Sequence, residues 1–457
     1  MNNLAAPEPI RLLDPLFTTD AMRQAFSDHR HLQCMLDFEA ALARALVTSG
    51  IAPKRVIAAI ESQCRAELFD MESLARGAAL SGNVAIPMVK FLTELVAKTN
   101  PQAACFVHWG ATSQDAIDTG LVLQMREALD FLDRDLASLS TSLARLAEAH
   151  KSTLIAGRTW LQQGPPVTFG LKVAGWLDAV ERHRERLSHA RKQVLVLQFG
   201  GAVGTLAAVG NRGLELASAL ARELKLDLPE VSWHPHRDRL AEIATSLGLM
   251  VGSLGKIARD ISLMSQTEID EVTEPSGPGR GGSSTMPHKR NPVGSAVILA
   301  AALRVPALVS TVLTAMVQEH ERGLGGWHAE WETLPELFRL SAGALHRMLE
   351  ISVGLEVDAN RMLQNLEITH GLIYAEAVTM VLGKQIGKAA AHQLMESASR
   401  KAIEKKMHLR EVLSADAEVS SRLTAAELEK LFDPQNYTGT ASQFVDRAIA
   451  ADKAGTR

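Results

Sequence analysis

A segment rich in glycine, serine and proline, residues 275–292 (PSGPGRGGSSTMPHKRNP), carries the residue types best suited to chemistry in this chain. No Asp or Glu occurs from residue 275 through residue 318, whereas Arg280, Lys289, Arg290 and Arg304 do. Clustered turn-forming residues predict a loop, and a basic loop without acids favours binding of an anionic small molecule. A flexible linker is the alternative interpretation of the same composition.

Two familiar site patterns do not account for this loop or for the histidines. Residues 277–282, GPGRGG, match the G-x-G-x-x-G spacing, but that spacing indicates a dinucleotide site only between a strand and a helix. Here helical sequence precedes it. His234 and His236 are two residues apart, and His320 and His328 are eight apart. Neither spacing places two imidazoles on one helical face beside a third ligand, so we expect no metal and no cofactor.

Two further segments accompany the loop: HWGATSQDAIDT at residues 108–119 and GRTWLQQGPPVTFG at residues 157–170. Together with GSSTMPHKRNP at residues 282–292, they resemble the three signature regions of the fumarase/aspartase superfamily, which includes argininosuccinate and adenylosuccinate lyases. The resemblance covers nearly the whole chain. It implies an all-α subunit of three domains with a central bundle of long helices. It also implies a homotetramer in which each active site is built from three subunits.

The resemblance assigns roles to individual residues, since family members transfer a proton on the carbon next to a carboxylate. Ser283 takes the proton-transfer role, and Lys289 would stabilise its alkoxide. Lys289 and Asn291 match positions that hold a substrate carboxylate. The other substrate-binding residues implied are Thr112, Ser113, Gln114, Arg322, Trp160, Arg158 and Asn83. Hydroxyls and amides at the start of a helix can donate hydrogen bonds to a carboxylate, and a guanidinium can bind it through two N–H groups. A helix cap or an ordinary surface residue is the alternative for each position.

Two departures from the lyase pattern narrow the chemistry. Trp160 stands where the lyases have the histidine that protonates the leaving group, and Ala296 stands where its partner glutamate is expected. A basic leaving group needs that acid, at a cost of roughly 10²–10⁴-fold in rate without it. A carboxylate leaving group, with a pKa of about 4, needs none.

The departures therefore favour an isomerase that closes and opens a lactone through a substrate carboxylate. The expected substrate is a small anionic tricarboxylate. A lyase that cleaves carbon–nitrogen bonds, like adenylosuccinate lyase, stays open as an alternative, although Trp331 stands where its pattern has an arginine. A catalytically silent structural relative is the second alternative.

The elements that must position these residues are helical. Residues 115–151 contain no Pro and a single Gly, and Leu121, Met125, Leu129 and Leu132 recur at helical spacing. Further long helical runs follow Pro166, begin near Arg237, and start after Pro292. Aromatic residues are only 4% of the chain, which disfavours an all-β fold. Alternating strand patterns are missing, apart from a short hairpin near the N-terminus.

Composition and charge limit the classes of partner and the compartment that we expect for this protein. The 52 acidic and 48 basic residues give a net charge of −4, which argues against nucleic-acid or membrane-surface binding. Three scattered cysteines and the absence of an apolar leader favour a reducing cytoplasm. Breaks in composition predict an N-terminal helical domain at 1–110, a central long-helix domain at 111–356 carrying the loop 275–292, and a C-terminal helical domain at 357–457.

Overall fold

The fold was obtained as a computed structural model that describes residues 10–277, 281–282, 285–286 and 288–454. Within these residues it contains twenty α-helices and four short strands, which confirms the predicted all-α class. The helices of the N-terminal part are α1 (Asp14–Phe17), α2 (Asp20–Ala25), α3 (Asp28–Thr48), α4 (Val56–Glu61), α5 (Met71–Ser81), α6 (Ala85–Thr99) and α7 (Pro101–Ala104).

Long helices occupy the middle of the chain, and four of them cover the helical runs predicted from residue 115, after Pro166, near Arg237 and after Pro292. The helices of this part are α8 (Ser113–Ala149), α9 (Phe169–Val194), α10 (Gly213–Leu224), α11 (Asp238–Met264), α12 (Val293–Ala315) and α13 (Gly326–Gly354). α8 alone has 37 residues. Shorter helices follow: α14 (Ala359–Asn365), α15 (Ala375–Ile386), α16 (Lys388–Lys405), α17 (Leu409–Ser414), α18 (Ala417–Ser420), α19 (Ala425–Leu431) and α20 (Ala441–Ala454). Four 3₁₀ turns lie at Ala66–Leu68, Ala207–Arg212, Leu372–Tyr374 and Pro434–Tyr437.

The strands form two small antiparallel pairs. β1 (Leu154–Thr159) pairs with β2 (Gln162–Thr168), and β3 (Val272–Thr273) pairs with β4 (Glu356–Val357). The expectation of a hairpin near the N-terminus was wrong, because the described residues there form α1 and α2. The hairpin in the structure is β1–β2, which overlaps the second signature region at residues 157–170.

The chain separates into two compact units, each assembled from three segments. One comprises the residues up to Leu136 with His183–Gly255 and Val297–His346. The other comprises Ala137–Arg182, Lys256–Ala296 and the residues from Arg347 onward. The division into domains 1–110, 111–356 and 357–457 stays a prediction.

Each unit has its own apolar core. In the first unit, α3 packs against α10, and Leu42 and Leu46 of α3 and Leu216 and Leu220 of α10 are at most 1% exposed. In the second unit, a cluster around Tyr374 joins Ala156 of β1 to residues of α15, α16 and α17. Each fully buried large apolar side chain contributes about 1.5–3 kcal/mol. These cores hold the helix ends and loops that carry the predicted site residues.

Two helices, α11 and α12, are long and apolar enough to cross a membrane by length and composition alone. Core helices of globular proteins meet the same criterion, and 61% of the apolar window of α11 is buried within the chain. For α12 the buried share is only 28%, at a mean hydropathy of 2.1. Much of the apolar surface of α12 is therefore not covered by its own chain.

Candidate active site

Thr112 and Ser113 lie where α8 begins, as the sequence predicted. The backbone N–H of Thr112 donates to Oδ2 of Asp115 at 3.0 Å, and the N–H of Asp115 donates to the Thr112 carbonyl at 2.9 Å. This reciprocal pair ends the preceding turn and starts the helix. Both residues are half-buried, and their hydroxyls make no hydrogen bond within the described residues. Two hydroxyls without a partner at the positive end of a long helix can donate hydrogen bonds to a bound carboxylate.

Asp115 is buried and accepts four hydrogen bonds. Its Oδ1 accepts from the N–H of Gly200 at 3.0 Å and from Nε2 of His234 at 2.7 Å. Its Oδ2 accepts from the N–H groups of Gly201 and Thr112, both at 3.0 Å. Four donors match an ionised carboxylate, which has only acceptors to offer. Sequence reasoning missed both Asp115 and His234, although the signature segment placed Asp115 beside the predicted site.

Gln114 and Arg322 are in direct contact. Nε of Arg322 donates to Oε1 of Gln114 at 3.1 Å, and Nη2 of Arg322 donates to the Ala202 carbonyl at 3.1 Å. The other end of the Gln114 amide, Nε2, donates to the carbonyl of His234 at 3.1 Å. Gln114 is 0% exposed, whereas Arg322 is half-buried. The structure therefore joins Gln114 to Arg322 across 208 positions of sequence.

The turn that precedes Thr112 is held by a second buried acid. His108 adopts the left-handed region at φ 57°, and Glu39 accepts from both its backbone N–H at 3.0 Å and its Nδ1 at 2.6 Å. Burial works against the charged imidazole, but the charge and hydrogen bond of Glu39 outweigh it, so the pKa of His108 lies above its ordinary value. The backbone strain at His108 is thus offset by a paired contact next to the site.

Asn83 lies in the turn between α5 and α6. Its Oδ1 accepts from the Ile86 N–H at 3.2 Å, and Nε2 of His328 lies 3.1 Å from the Gly82 carbonyl. Asn83 lines a cavity of about 490 Å³ together with Trp331 and Arg339. Trp331 Nε1 and Arg339 Nε are buried donors without a partner in the described part of the chain. The cavity beside Asn83 therefore offers hydrogen-bond donors to a ligand that carries acceptors.

A buried ion cluster supports α8 one turn beyond the site. Arg237, 1% exposed, donates two hydrogen bonds to Asp118, at 2.6 and 3.0 Å, and also pairs with Glu330. Trp327 Nε1 donates to Asp118 at 3.0 Å. Such a paired and fully hydrogen-bonded cluster fixes the register of the elements that carry it. Sequence reasoning did not find this cluster, because Arg237 is 93 positions from Glu330 and 119 positions from Asp118.

In the second unit, Arg158 extends from β1 to a buried glutamate. Its Nη1 and Nη2 donate to the two oxygens of Glu271 at 2.9 and 2.7 Å, and Asn365 Nδ2 donates to the same carboxylate at 2.9 Å. Glu271 is 0% exposed. This bidentate pair uses one edge of the guanidinium. The predicted contact of Arg158 with substrate stays a prediction.

Trp160 lies at the tip of the β1–β2 hairpin. Thr159 pairs with Gln162, so the loop consists of Trp160 and Leu161, at φ 53° and 63°. Positive φ at both positions of a two-residue loop is the type I′ turn, which normally takes Asn and Gly. Trp160 is 97% exposed and Leu161 is 76% exposed. Within the described residues, little packing against this apolar pair explains why it is held in a strained turn.

The signature loop is anchored at both ends by Glu274. The Glu274 carboxylate accepts from the N–H groups of Gly294 at 2.9 Å and Ser295 at 2.7 Å, which caps the start of α12. The Glu274 carbonyl accepts from Nη2 of Arg290 at 3.0 Å, and Arg290 also forms a bidentate pair with Glu356. The acid that directly precedes the acid-free stretch was the available signal for this anchor, and it was missed.

Asn291 closes the base of this loop. Its backbone N–H and its Nδ2 both donate to the Gly281 carbonyl, at 2.9 and 3.2 Å. Lys289 is exposed, and its ammonium has no partner within the described residues. Ser283 lies outside the described residues. The carboxylate-binding roles of Lys289 and Asn291 and the proton-transfer role of Ser283 therefore stay predictions.

No group of three His, Cys, Asp or Glu side chains suited to a metal ion occurs within residues 10–277 and the other described ranges. Thr112, Ser113, Gln114, Arg322 and Asn83 belong to the first unit, and Arg158, Trp160, Lys289 and Asn291 to the second. A hydrogen bond joins Arg322 to Gln114, and another joins the backbone N–H of Thr112 to the carboxylate of Asp115.

Comparison with known proteins extends over the whole chain. The lyase family matches residues 16–307, and the adenylosuccinate lyase C-terminus family matches residues 371–448. The chain is 57% identical to 3-carboxy-cis,cis-muconate cycloisomerase of Pseudomonas aeruginosa, over 96% of both chains. It is 43% identical to nitrosuccinate lyase of Streptomyces davaonensis, over 98% of this chain and 96% of that protein. The crystal structure of 3-carboxy-cis,cis-muconate lactonizing enzyme from Pseudomonas putida superposes with a TM-score of 0.93 at 52% identity, covering 98% of this chain and 100% of that one.

Proposed function

The chain belongs to the lyase family of the fumarase/aspartase superfamily, and on that premise we propose that it is a 3-carboxy-cis,cis-muconate cycloisomerase. It is an isomerase that lactonises 3-carboxy-cis,cis-muconate to 4-carboxymuconolactone, a step of protocatechuate degradation in the β-ketoadipate pathway. The observation that carries the proposal is Trp160 at the hairpin tip, where a lyase needs an acid for its leaving group. The relatives that match this chain at 52–57% identity support the same reaction.

The reaction proceeds without a leaving-group acid. One carboxylate oxygen of the substrate attacks the conjugated double bond, and its lone pair forms the ring C–O bond. The π electrons of the double bond move onto a second carboxylate. Ser283 then donates its hydroxyl proton to the carbon next to that carboxylate, and a solvent proton restores the hydroxyl. Proximity within one molecule already favours ring closure. The enzyme therefore has to select the reactive conformer and stabilise the developing dianion.

The loop 275–292 supplies the positive field for that dianion. Within the described residues, the exposed Lys289 ammonium has no partner, and Asn291 has one amide N–H and its Oδ1 without a partner. The sequence lacks acids from residue 275 through residue 318. A cation placed where charge develops stabilises the transition state more than the ground state. Lys289 and Asn291 hold the carboxylate that becomes dianionic.

The start of α8 binds a second carboxylate. Thr112 and Ser113 contribute hydroxyls and helix-start N–H groups, and Arg322 contributes the guanidinium edge that Gln114 and Ala202 leave free. Asn83 borders the cavity that accepts the remote end of the substrate. A tricarboxylate thus finds a separate set of donors for each charge.

The active enzyme is a cytoplasmic homotetramer with active sites shared between subunits. The exposed apolar surface of α12, with Leu303 at 83% exposure, supports an assembly that covers it. Trp160, 97% exposed in its own chain, supports a site completed by a neighbouring subunit. In this proposal other subunits cover the α12 surface and Trp160, and the enzyme has no nucleic-acid or membrane partner.

One assay separates this function from its rivals. The purified protein is incubated with 3-carboxy-cis,cis-muconate, adenylosuccinate, argininosuccinate or fumarate, and the ultraviolet spectrum is followed. We expect turnover of the muconate alone, with the lactone identified by proton NMR. Turnover of adenylosuccinate would favour a C–N lyase. Inactivity toward all four, by a folded tetramer, would favour a catalytically silent relative.

A further inference from the structure

We propose that Asp115, His234 and Gln114 are positioning residues that fix the guanidinium of Arg322 and the hydroxyls of Thr112 and Ser113 for a substrate carboxylate. The proposal rests on the function proposed above, because it concerns the carboxylate site at the start of α8. It also changes the role of Gln114, which the sequence assigned to direct substrate contact.

Gln114 is built into the interior rather than presented to a ligand. Its side chain is 0% exposed, its Nε2 donates to the His234 carbonyl, and its Oε1 accepts from Arg322. A substrate could reach this amide only by displacing Arg322, and the displaced guanidinium would lose a charge-assisted hydrogen bond. Gln114 therefore acts through Arg322.

Arg322 keeps the edge that recognises carboxylates. A guanidinium has five N–H donors. Gln114 takes the Nε–H and Ala202 takes one Nη2 hydrogen, both on the same side of the fork. The Nη1 and Nη2 hydrogens at the far end have no acceptor among the described residues and are available for a bidentate contact with a carboxylate. Arg322 is half-buried, so its side chain is not closed off from a ligand.

Two paths run from Asp115 to Arg322. Along the first, Oδ1 of Asp115 binds the His234 imidazole, and the His234 carbonyl orients the Gln114 amide that accepts from Arg322. Along the second, Asp115 binds the N–H groups of Gly200 and Gly201, which fixes the carbonyl of the next residue, Ala202, beneath Nη2 of Arg322. The buried Asp115 carboxylate thus fixes the positions of the two oxygens, Gln114 Oε1 and the Ala202 carbonyl, that orient the Arg322 guanidinium.

The glycine pair is required for the second path. Gly201 has φ +68°, and a Cβ at Gly200 would come within 2.6 Å of Cβ of Ser232. Without side chains, two successive N–H groups can turn toward one carboxylate and form an anion-binding nest. The remaining hydrogen bond of Asp115, from the N–H of Thr112, ties the hydroxyl-bearing segment to the same carboxylate.

The first test is a double-mutant cycle between Gln114 and Arg322. Gln114→Leu keeps the volume and removes both hydrogen bonds. We expect KM for 3-carboxy-cis,cis-muconate to rise about tenfold or more, the worth of one hydrogen bond to a charged group, with kcat changed less. In an Arg322→Met background, Gln114→Leu should raise KM by less than about twofold. An equal rise in both backgrounds would overturn the proposal.

Gln33→Leu is the control for a loss of amide hydrogen bonds at a half-buried glutamine in the same unit. Gln33 also bridges a backbone carbonyl and a donor, with Nε2 on the Cys64 carbonyl at 3.1 Å and Oε1 accepting from the Ala66 N–H at 2.9 Å. We expect Gln33→Leu to lower the melting temperature without changing KM by more than about twofold. A tenfold rise in KM for Gln33→Leu would mean that any such defect in this unit weakens binding, and the positioning role would be overturned.

A second measurement does not depend on turnover. Crystal structures of the Gln114→Leu and His234→Gln variants should show the Arg322 guanidinium rotated away from its native position. Unchanged Arg322 density in both variants would overturn the proposal even if the enzyme is a cycloisomerase. If instead wild type does not convert carboxymuconate but Arg322 moves in both variants, the proposed function fails and the positioning role stands.

Discussion

At the scale of single residues, Trp160 is the residue on which the predicted difference from the lyases depends. Its backbone and that of Leu161 lie in the left-handed region, at a cost of about 1–3 kcal/mol for each non-glycine residue. The indole is 97% exposed in its own chain. Folding of the subunit does not require this side chain. The retained strain is consistent with a contribution to the site in the assembled enzyme.

Restoring the lyase acid should not improve this enzyme. Trp160→His combined with Ala296→Glu places a titratable pair at two exposed positions, so we expect the free energy of unfolding of the subunit to change by less than about 0.5 kcal/mol. Cycloisomerisation should become slower and should acquire a pH dependence near the ordinary histidine pKa of about 6.5. The measurement is the pH–rate profile of wild type and variant on carboxymuconate.

Trp160→Phe serves as the control, because it keeps an aromatic ring and adds no titratable group. It should be slower than wild type without the new pH dependence. A several-fold rise in turnover of the double variant would mean that an acid–base group at this position assists lactonisation, and the explanation of Trp160 would then be wrong.

The proton donor is tested by a neighbouring pair of serines. Ser283→Ala should reduce kcat by at least about two orders of magnitude with a much smaller effect on KM, because it removes the general acid and leaves the carboxylate sites intact. Steady-state kinetics of Ser283→Ala and Ser284→Ala provide the comparison. If Ser284→Ala is inactive while Ser283→Ala keeps its turnover, the acid is one residue further along.

At the scale of elements, Glu274 determines where α12 begins and where the signature loop starts. Glu274→Gln keeps the shape but leaves one acceptor oxygen for the N–H groups of Gly294 and Ser295. We expect a loss of about 1–2 kcal/mol in the free energy of unfolding, as for other helix caps, and a lower kcat/KM. Denaturant unfolding and steady-state kinetics measure the two effects.

Glu356→Gln is the control at the other anchor of the loop. The Arg290–Glu356 pair is exposed on both sides, and exposed pairs contribute about 0–1 kcal/mol. This variant should therefore be close to wild type in stability and activity. An activity loss for Glu356→Gln as large as that for Glu274→Gln would show that the helix cap is not what matters.

The elements also show how far the sequence alone could lead. The long helices were predictable because apolar residues recur at helical spacing and Pro is absent from α8. The contacts that shape the site were not, because they join residues remote in sequence. Gln114 meets Arg322 across 208 positions and Asp115 meets His234 across 119. Local periodicity carries no information about such pairs, so Gln114 was assigned a direct contact that its burial makes indirect.

At the scale of the whole molecule, α12 requires a partner surface. Its apolar window has a mean hydropathy of 2.1 and is only 28% buried by the chain itself. Leu303 on this helix is 83% exposed. Apolar surface on this scale destabilises a lone subunit in water and is stabilised by association, at about 25 cal/mol per Å² of apolar area buried. The predicted homotetramer would cover it with the same helix of other subunits.

Leu303→Glu should therefore separate the subunits without unfolding them. We expect light scattering to change from a tetramer to a smaller species, because a carboxylate buried without a partner at a helix interface is strongly unfavourable. Circular dichroism should keep the helical signal, since position 303 is exposed in the single chain. Activity should fall with the tetramer, because in the proposed assembly side chains from neighbouring subunits complete the site. Ile403→Glu, at a position on α16 that is 63% exposed, should leave assembly and activity unchanged. A fully active monomer, from wild type or from Leu303→Glu, would contradict the shared site and would require Trp160 and Lys289 to serve the chain that carries them.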